Sequence, residues 1–326
     1  MIGRIAGIVG LSLLVPLVIA LALILGQGPG QAMSGEGGLD FSDQLTREVA
    51  ALPVAEAALR DGSTTLVRYL EGPEEGPLIV LVHGSGWDGG QFDGLARGLS
   101  TVGDVLVPDL RGHGARPERR GDVDYAGQME DDLADLIRSH IRDKDQGVML
   151  LGHSSGGGLV IRFANGVNGG LMDRAVLLAP FVQHDAPMMR ENSGGWARPL
   201  TRRIVGLSML NSAGITVLDR LTAIEFAMPE AVVQGPEGHR ATTAYSWRLN
   251  KGFAPRRDWQ ADIAALPAFL LIAGAEDEAF VAEGYEPEFI KHSDRGRYRV
   301  LDGVGHLALV DDPRVLTLVR RFVLDE

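Results

Sequence analysis

Short runs of consecutive apolar residues recur along the chain from about residue 50 onward. They occupy residues 78–82, 105–107, 148–151, 175–178 and 268–272. Continuous apolar runs of this length are typical of parallel strands that are covered on both faces.

Longer amphipathic stretches lie between these runs. Residues 126–141 and 313–323 repeat their apolar side chains at intervals of three and four, which is the spacing of one helix face. Alternating strands and helices imply a mainly parallel sheet with helices on both faces. The pattern therefore predicts an α/β fold whose core comprises residues 50–181 and 263–326.

Residues 182–262 interrupt the alternation of strands and helices. They hold three of the four tryptophans, Trp196, Trp247 and Trp259, and four methionines. We predict that this stretch is a helical cap, inserted between two late strands and lying over the carboxyl edge of the sheet.

The first thirty residues have a different pattern. Residues 5–25 carry no charge, and about 20 apolar residues suffice for a helix to cross a bilayer. Arg4 precedes the run and the next basic residue is Arg47, so the positive-inside rule places the N-terminus in the cytoplasm. Residues 1–26 are therefore predicted to form a single transmembrane helix, followed by a flexible linker over residues 27–49.

This orientation places the rest of the chain outside the cytoplasm, on the periplasmic side of a bacterial inner membrane. The alternative is a cleaved signal peptide, which would leave a secreted or periplasmic protein.

Composition removes several classes of function. The 326 residues are 45% hydrophobic and 23% charged, as in ordinary globular proteins. A net charge of -12 argues against nucleic-acid binding, which needs a cationic surface. The absence of cysteine excludes a catalytic thiol, disulfides and a cysteine-based zinc site.

A G-x-S-x-G motif follows the apolar run that ends at Leu151 and precedes a helical pattern. It reads Gly152-His153-Ser154-Ser155-Gly156. Between a strand and a helix, this motif is typical of a nucleophile elbow, with the serine hydroxyl exposed at the top of the sheet. Ser154 is thus the candidate nucleophile, and the backbone N–H of Ser155 faces the same space.

A serine hydroxyl needs a base, and the base needs an acid that orients it. His306 follows the apparent last strand and can reach the elbow from that edge of the sheet. Asp277 ends another strand and is the predicted acid, with the neighbouring Glu276 and Glu278 as alternatives. The order Ser154, Asp277, His306 is the one expected of this arrangement.

A second glycine-containing loop, His83-Gly84-Ser85-Gly86, follows the first long apolar run. Its glycines let backbone N–H groups turn toward a developing oxyanion. We expect the N–H of Ser85 to pair with that of Ser155, and such donors stabilise a transition state by about 2.7–4 kcal/mol each. His83 is interpreted as a structural residue of this loop.

Together these motifs and residues 109–114, Asp-Leu-Arg-Gly-His-Gly, resemble the α/β-hydrolase superfamily over about residues 60–325. The chain is most similar to the branch of monoacylglycerol lipases, lysophospholipases and serine aminopeptidases. The resemblance implies Ser154 as nucleophile, Asp277 as acid, His306 as base, and Ser85 and Ser155 as oxyanion donors.

The expected function is hydrolysis of a carboxylic ester, of an apolar or lipid-like acyl group, through an acyl-enzyme. This chemistry needs no cofactor and no metal. The alternatives are a peptidase or amidase, or an acyltransferase, on the same three residues. A binding protein on a hydrolase fold is the non-enzymatic alternative.

Overall fold

The computed structural model describes residues 2–30, 38–42, 46 and 49–325, and the side chains among them from residue 14 onward. Its strands in chain order are Ala55–Ala58 (β1), Thr64–Leu70 (β2), Leu78–Val82 (β3), Asp104–Pro108 (β4), Val148–His153 (β5), Arg174–Leu178 (β6), Ala197–Pro199 (β7), Thr222–Phe226 (β8), Ala244–Ser246 (β9), Ala268–Gly274 (β10) and Gly296–Leu301 (β11).

The described residues also form ten α-helices, most of which lie between these strands in sequence. In chain order they are Ile2–Leu25 (α1), Asp93–Leu99 (α2), Gln128–His140 (α3), Ser155–Ala164 (α4), Thr201–Ser212 (α5), Glu230–Val233 (α6), Trp247–Phe253 (α7), Trp259–Ala264 (α8), Tyr285–Phe289 (α9) and Pro313–Val323 (α10).

Within the described residues, eight strands form one sheet in the order β1-β2-β4-β3-β5-β6-β10-β11. From β4 to β11 all neighbours are parallel, whereas β2 is antiparallel to both β1 and β4. Every residue of β3 is buried. Because successive side chains of a strand point to opposite faces, both faces of the sheet are covered there. The predicted α/β fold with a mainly parallel sheet is confirmed.

The insertion between β6 and β10 is not wholly helical, and that part of the prediction is wrong. Besides α5 to α8 it contains a three-stranded antiparallel sheet in the order β7-β8-β9. These strands are three to five residues long, too short to show a clear period-two pattern. Trp196 precedes β7 and packs on Phe226 of β8, with ring centroids 5.3 Å apart. Phe226 packs in turn on Tyr245 of β9, with centroids 4.7 Å apart.

Ion pairs bind this cap to the core. Arg240 of the cap pairs with Asp88, whose carboxylate is fully buried and also lies near Arg68. Arg248 of α7 pairs with Asp122 at 2.6 Å. Burial opposes ionisation of Asp88, but the neighbouring guanidinium groups outweigh it and lower the pKa of that carboxyl. Removing one member of such a pair would leave an uncompensated charge, which costs about 3–5 kcal/mol when fully buried.

Helix α1 packs along one side against α5. Ala20 and Ile24 are buried against Leu207 and Leu210, and Gly206 allows the two backbones to approach closely. No helix in the part of the chain that the structure describes combines the length and the apolar character needed to cross a membrane. The predicted transmembrane helix is therefore not supported.

Two stretches of the predicted linker contact the body, whereas its residues 31–37, 43–45 and 47–48 lie outside the described residues. The side chain of Gln27 accepts the N–H of Arg202 at 2.7 Å, and the N–H of Gly30 donates to the Glu225 carboxylate at 3.1 Å. The segment that leaves α1 is therefore held on the cap.

Gly206→Val is expected to displace α1. A Cβ at this position would lie 2.5 Å from the carbonyl oxygen of Ala20 and 2.7 Å from the Ile24 side chain. Overpacking of this kind costs about 1–3 kcal/mol, so amide exchange in residues 14–25 should accelerate about tenfold or more. Hydrogen–deuterium exchange measures it. Gly170→Val is the control, because a Cβ there meets nothing within 4 Å. Equal exchange in both variants would refute the described packing.

Candidate active site

The turn from β5 to α4 holds Ser154 in a strained backbone conformation, with φ 54° and ψ -122°. Glycines on either side make the turn possible. A Cβ at Gly152 would lie 2.4 Å from the Gly156 carbonyl oxygen, and one at Gly156 would lie 2.1 Å from that of Val82. Non-glycine residues in such conformations cost about 1–3 kcal/mol and cluster at active sites. The geometry is that of the predicted nucleophile elbow.

Asp277 and His306 are in direct contact. The Asp277 Oδ2 atom lies 2.7 Å from His306 Nδ1, and both residues are buried. The other carboxylate oxygen accepts the N–H groups of Ala279 and Phe280, both at 2.8 Å. An ionised carboxylate only accepts hydrogen bonds, so His306 Nδ1 is the donor and Nε2 is left as the proton acceptor.

The electrostatics of Asp277 favour this arrangement. Burial raises the pKa of its carboxyl, but attraction to His306 and the hydrogen bonds from His306, Phe280 and Ala279 outweigh that effect and lower the pKa below its usual value. The Asp277 carboxylate therefore stays charged at neutral pH, and its hydrogen bond holds the His306 ring in this orientation.

Ser154 and His306 line the same open space, which consists of two adjoining cavities. The larger has a volume of about 270 Å³ and the smaller about 50 Å³. Ser154 follows β5, Asp277 follows β10 and His306 follows β11, so parallel strands present all three residues at their carboxyl edge. Ligand sites of parallel α/β sheets characteristically lie at this edge.

The two alternative acids have other positions. Glu276 is exposed. Glu278 accepts the backbone N–H of His306 at 2.8 Å through its Oε2 atom, so it holds the loop and not the imidazole ring.

Ser85 and Ser155, the predicted oxyanion donors, lie side by side. Their hydroxyl oxygens are 2.8 Å apart, and both residues line the smaller cavity together with Ser154. The loop after β3 and the start of α4 are thereby brought together beside Ser154.

His83 forms hydrogen bonds that hold the Ser85 loop, in keeping with its interpretation as a structural residue. Its Nδ1 donates to the carbonyl of Gly84 at 2.8 Å, and its Nε2 accepts the N–H of Leu110 at 3.0 Å. Complete burial lowers the pKa of His83 to about 4, so the ring is neutral and both nitrogens keep these roles.

His153 supports the loop of His306 in the same way. Its Nε2 donates to the backbone carbonyl of His306 at 3.0 Å, and its Nδ1 accepts from the Gln91 amide at 3.3 Å. Burial lowers the pKa of His153 to about 3, and the ring stays neutral.

A buried chain of hydrogen bonds connects the cap to the Ser85 loop, and sequence reasoning missed it. The N–H of Gly86 donates to the Tyr245 hydroxyl at 2.9 Å, which in turn lies 2.6 Å from His113 Nε2. His113 Nδ1 donates to the carbonyl of Arg111 at 3.0 Å, and burial lowers the His113 pKa to about 3. The neutral Nε2 therefore accepts the Tyr245 proton, and the phenolic oxygen remains free to accept the Gly86 N–H.

Among the described residues, no group of three or more histidine, aspartate or glutamate side chains is arranged to hold a metal ion. The residues that converge on the two cavities are instead a hydroxyl, an imidazole and a buried carboxylate. This set is suited to nucleophilic attack assisted by a base.

The fold is that of the protein class that the sequence motifs already indicate. A model of the alpha/beta hydrolase family matches residues 79–317, well over half of the chain. The protein belongs to this family, and the predicted resemblance is confirmed.

The chain is also similar to individual hydrolases. "Probable protein phosphatase methylesterase 1" of Caenorhabditis elegans is 25% identical over 266 residues, which cover 76% of this chain and 68% of that protein. Monoglyceride lipase of Saccharomyces cerevisiae superposes with a TM-score of 0.64 at 14% identity, covering 86% of this chain and 97% of that one. A thermophilic esterase from Thermogutta terrifontis gives 0.57 at 20% identity, with 84% and 98% covered. At these identities the structures show the fold.

Tyr245→Phe is expected to slow the hydrolysis of p-nitrophenyl acetate. It removes the acceptor of the Gly86 N–H, and an unsatisfied buried donor costs about 1–3 kcal/mol. Because the loop positions Ser85, kcat should fall about tenfold to a hundredfold, while KM changes by less than about threefold.

Tyr298→Phe is the matched control for steady-state kinetics. Within the described part of the chain, the buried Tyr298 hydroxyl has no hydrogen-bond partner. The role assigned to Tyr245 would be wrong if both variants kept the wild-type kcat.

Proposed function

We propose that the protein is a serine hydrolase that cleaves carboxylic esters of apolar, lipid-like acyl groups. The observation that carries this proposal is the buried 2.7 Å contact between Asp277 and His306, beside the strained Ser154. Membership of the alpha/beta hydrolase family and the likeness to esterases and a monoglyceride lipase support it.

In the proposed mechanism, the Ser154 hydroxyl attacks the ester carbonyl while His306 Nε2 takes its proton. Asp277 holds Nδ1 and stabilises the imidazolium that forms. The carbonyl oxygen becomes an oxyanion, which accepts hydrogen bonds from the backbone N–H groups of Ser85 and Ser155.

Collapse of this intermediate breaks the bond to the alkoxy group. The imidazolium of His306 gives its proton to the departing alcohol, and an acyl-enzyme remains on Ser154. Water then attacks the acyl carbon with His306 again as base, releasing the carboxylic acid and restoring the serine.

The lining of the larger cavity supports an apolar acyl group. Side chains of Trp87, Trp196, Met228, Val232 and Val310 surround the space next to Ser154. Apolar walls with a few converging polar groups are the usual character of sites that bind apolar ligands. A monoacylglycerol or a lysophospholipid is a substrate of this class.

Replacing Ser154 by alanine tests the proposal. Loss of the nucleophile should lower kcat for p-nitrophenyl butyrate by about 10⁴-fold or more and abolish labelling by a fluorophosphonate probe. Ser208→Ala, on the exposed side of α5, is the control and should retain both activities.

Two results would contradict the ester hydrolase. One is a Ser154→Ala variant with wild-type turnover. The other is faster cleavage of a fluorogenic dipeptide, or faster acyl transfer to an added alcohol, than hydrolysis of any ester in a graded panel. Faster cleavage of the dipeptide or faster acyl transfer would favour the peptidase or amidase, or the acyltransferase. Wild-type turnover in Ser154→Ala would contradict all of these activities, because they share Ser154.

We further propose that α1 attaches the protein to a lipid surface. Leu14, Val15, Val18 and Ile19 are exposed on the sides of α1 that do not pack against α5. Exposed apolar patches of this kind mark interaction sites, and interfacial helices bury such a face in the headgroup region. The sequence predicts that the N-terminal segment is retained, with signal cleavage as the alternative, and that the rest of the chain lies outside the cytoplasm. Both statements stay predictions.

The lipid attachment is tested by flotation of the full chain with vesicles of phosphatidylcholine and phosphatidylglycerol. Wild type should float with the vesicles, whereas the double variant Leu14→Asp, Val18→Asp should lose about tenfold or more of the bound fraction. Val167→Asp is the control, since Val167 is fully exposed at a distant site. Wild type that stays with the unbound protein would refute the attachment.

A further inference from the structure

Residues 38–42, here called the strap, lie at the active site although they precede the hydrolase core in sequence. The strap is part of the predicted linker between α1 and β1. Leu39 and Phe41 are half-buried against the main hydrophobic core, and both line the larger cavity with Ser154 and His306.

Defined contacts hold the strap in this position. The Phe41 ring packs on the Trp196 ring of the cap, with centroids 5.6 Å apart. Gly38 has a φ of 106°, and a Cβ there would lie 3.3 Å from the Cα atom of Trp196. A side chain at Gly38 would therefore be strained by the backbone conformation and crowded by the cap.

A single carboxylate joins the strap to the loop of the base. The N–H of Asp40 donates to Glu278 Oε1 at 3.2 Å, while Glu278 Oε2 accepts the N–H of His306 at 2.8 Å. The strap is thus held on both sides, by the cap through Trp196 and by the catalytic edge of the sheet through Glu278.

The strap adds an apolar wall from outside the segment that the family model matches. The family match begins at residue 79, well after the strap. Other parts of the lining of the larger cavity come from the cap, through Met228 and Val232, and from the short 3-10 turn Ala308–Val310, through Val310. The smaller cavity has a volume of about 50 Å³, against about 270 Å³ for the larger cavity that the strap lines.

We propose that Leu39 and Phe41 of the strap determine the acyl-chain preference of this hydrolase, by forming the wall along which a medium-length apolar chain extends from Ser154. This inference rests on the proposed function. An acetyl group is too short to depend on the strap to the same extent. The N-terminal segment therefore sets substrate specificity, in addition to any role in attachment.

The test uses the full chain and two methyl esters, the acetate and the hexanoate, with acid release followed by pH-stat titration. Phe41→Ala should lower the ratio of kcat/KM for hexanoate to that for acetate roughly fivefold to twentyfold, mainly through KM for hexanoate. Phe41→Leu keeps an apolar side chain and should restore at least half of the ratio.

A second variant acts without altering any cavity side chain. Gly38→Val displaces the strap and should lower the same ratio to a similar extent. Val54→Ala, an exposed apolar residue nearby in sequence, is the control and should leave both esters unaffected.

The inference is overturned if wild type hydrolyses both esters and the ratio is unchanged in Phe41→Ala and Gly38→Val. If the wild-type protein hydrolyses neither ester, the proposed function itself is overturned. This outcome is distinguishable from failure of the inference on the strap alone.

Discussion

The close approach of three backbone segments at Ser154 is the constraint on which the rest of the site depends. The end of β5, the start of α4 and the end of β3 meet where glycines at 152 and 156 leave no room for a Cβ. Two backbone hydrogen bonds hold Ser154. Its N–H donates to the carbonyl of Leu178, and its carbonyl accepts the N–H of Phe181, both at 2.9 Å. The strained conformation of Ser154 persists because the surrounding backbone holds it through these hydrogen bonds and close contacts.

Most of the sheet and the positions of the proposed reacting groups could be predicted because they depend on local pattern. Fully buried parallel strands are continuous apolar runs, as in β3 and β5, and the runs remain visible without knowledge of their neighbours. Asp277 and His306 could be selected among many acids and histidines because each follows such a strand. Parallel strands bring their carboxyl ends to one edge, so position after a strand implies proximity in space.

The parts that could not be predicted depend on contacts between distant segments. Tyr245 has no local pattern that indicates a role, and its hydroxyl matters because His113 and Gly86 lie beside it in the folded chain. The strap is similar, since Phe41 follows a glycine-rich stretch typical of a linker and acquires its position from Trp196. The short strands of the cap are stabilised by pairing with each other, so their own residues carry a weak pattern.

The attachment of the cap has a consequence for how reactants reach Ser154. Arg240 and Arg248 of the cap pair with Asp88 and Asp122 of the core, and Tyr245 of the cap supports the loop that carries Ser85. A cap that lifted on a hinge would break these pairs and disorganise that loop at the same moment. Any movement of the cap is therefore coupled to the loop that carries Ser85, and in the arrangement described here the larger cavity, which the strap lines, leads to Ser154. In the proposed reaction, the rate at which a long-chain product leaves would then depend on the width of this cavity beside the strap.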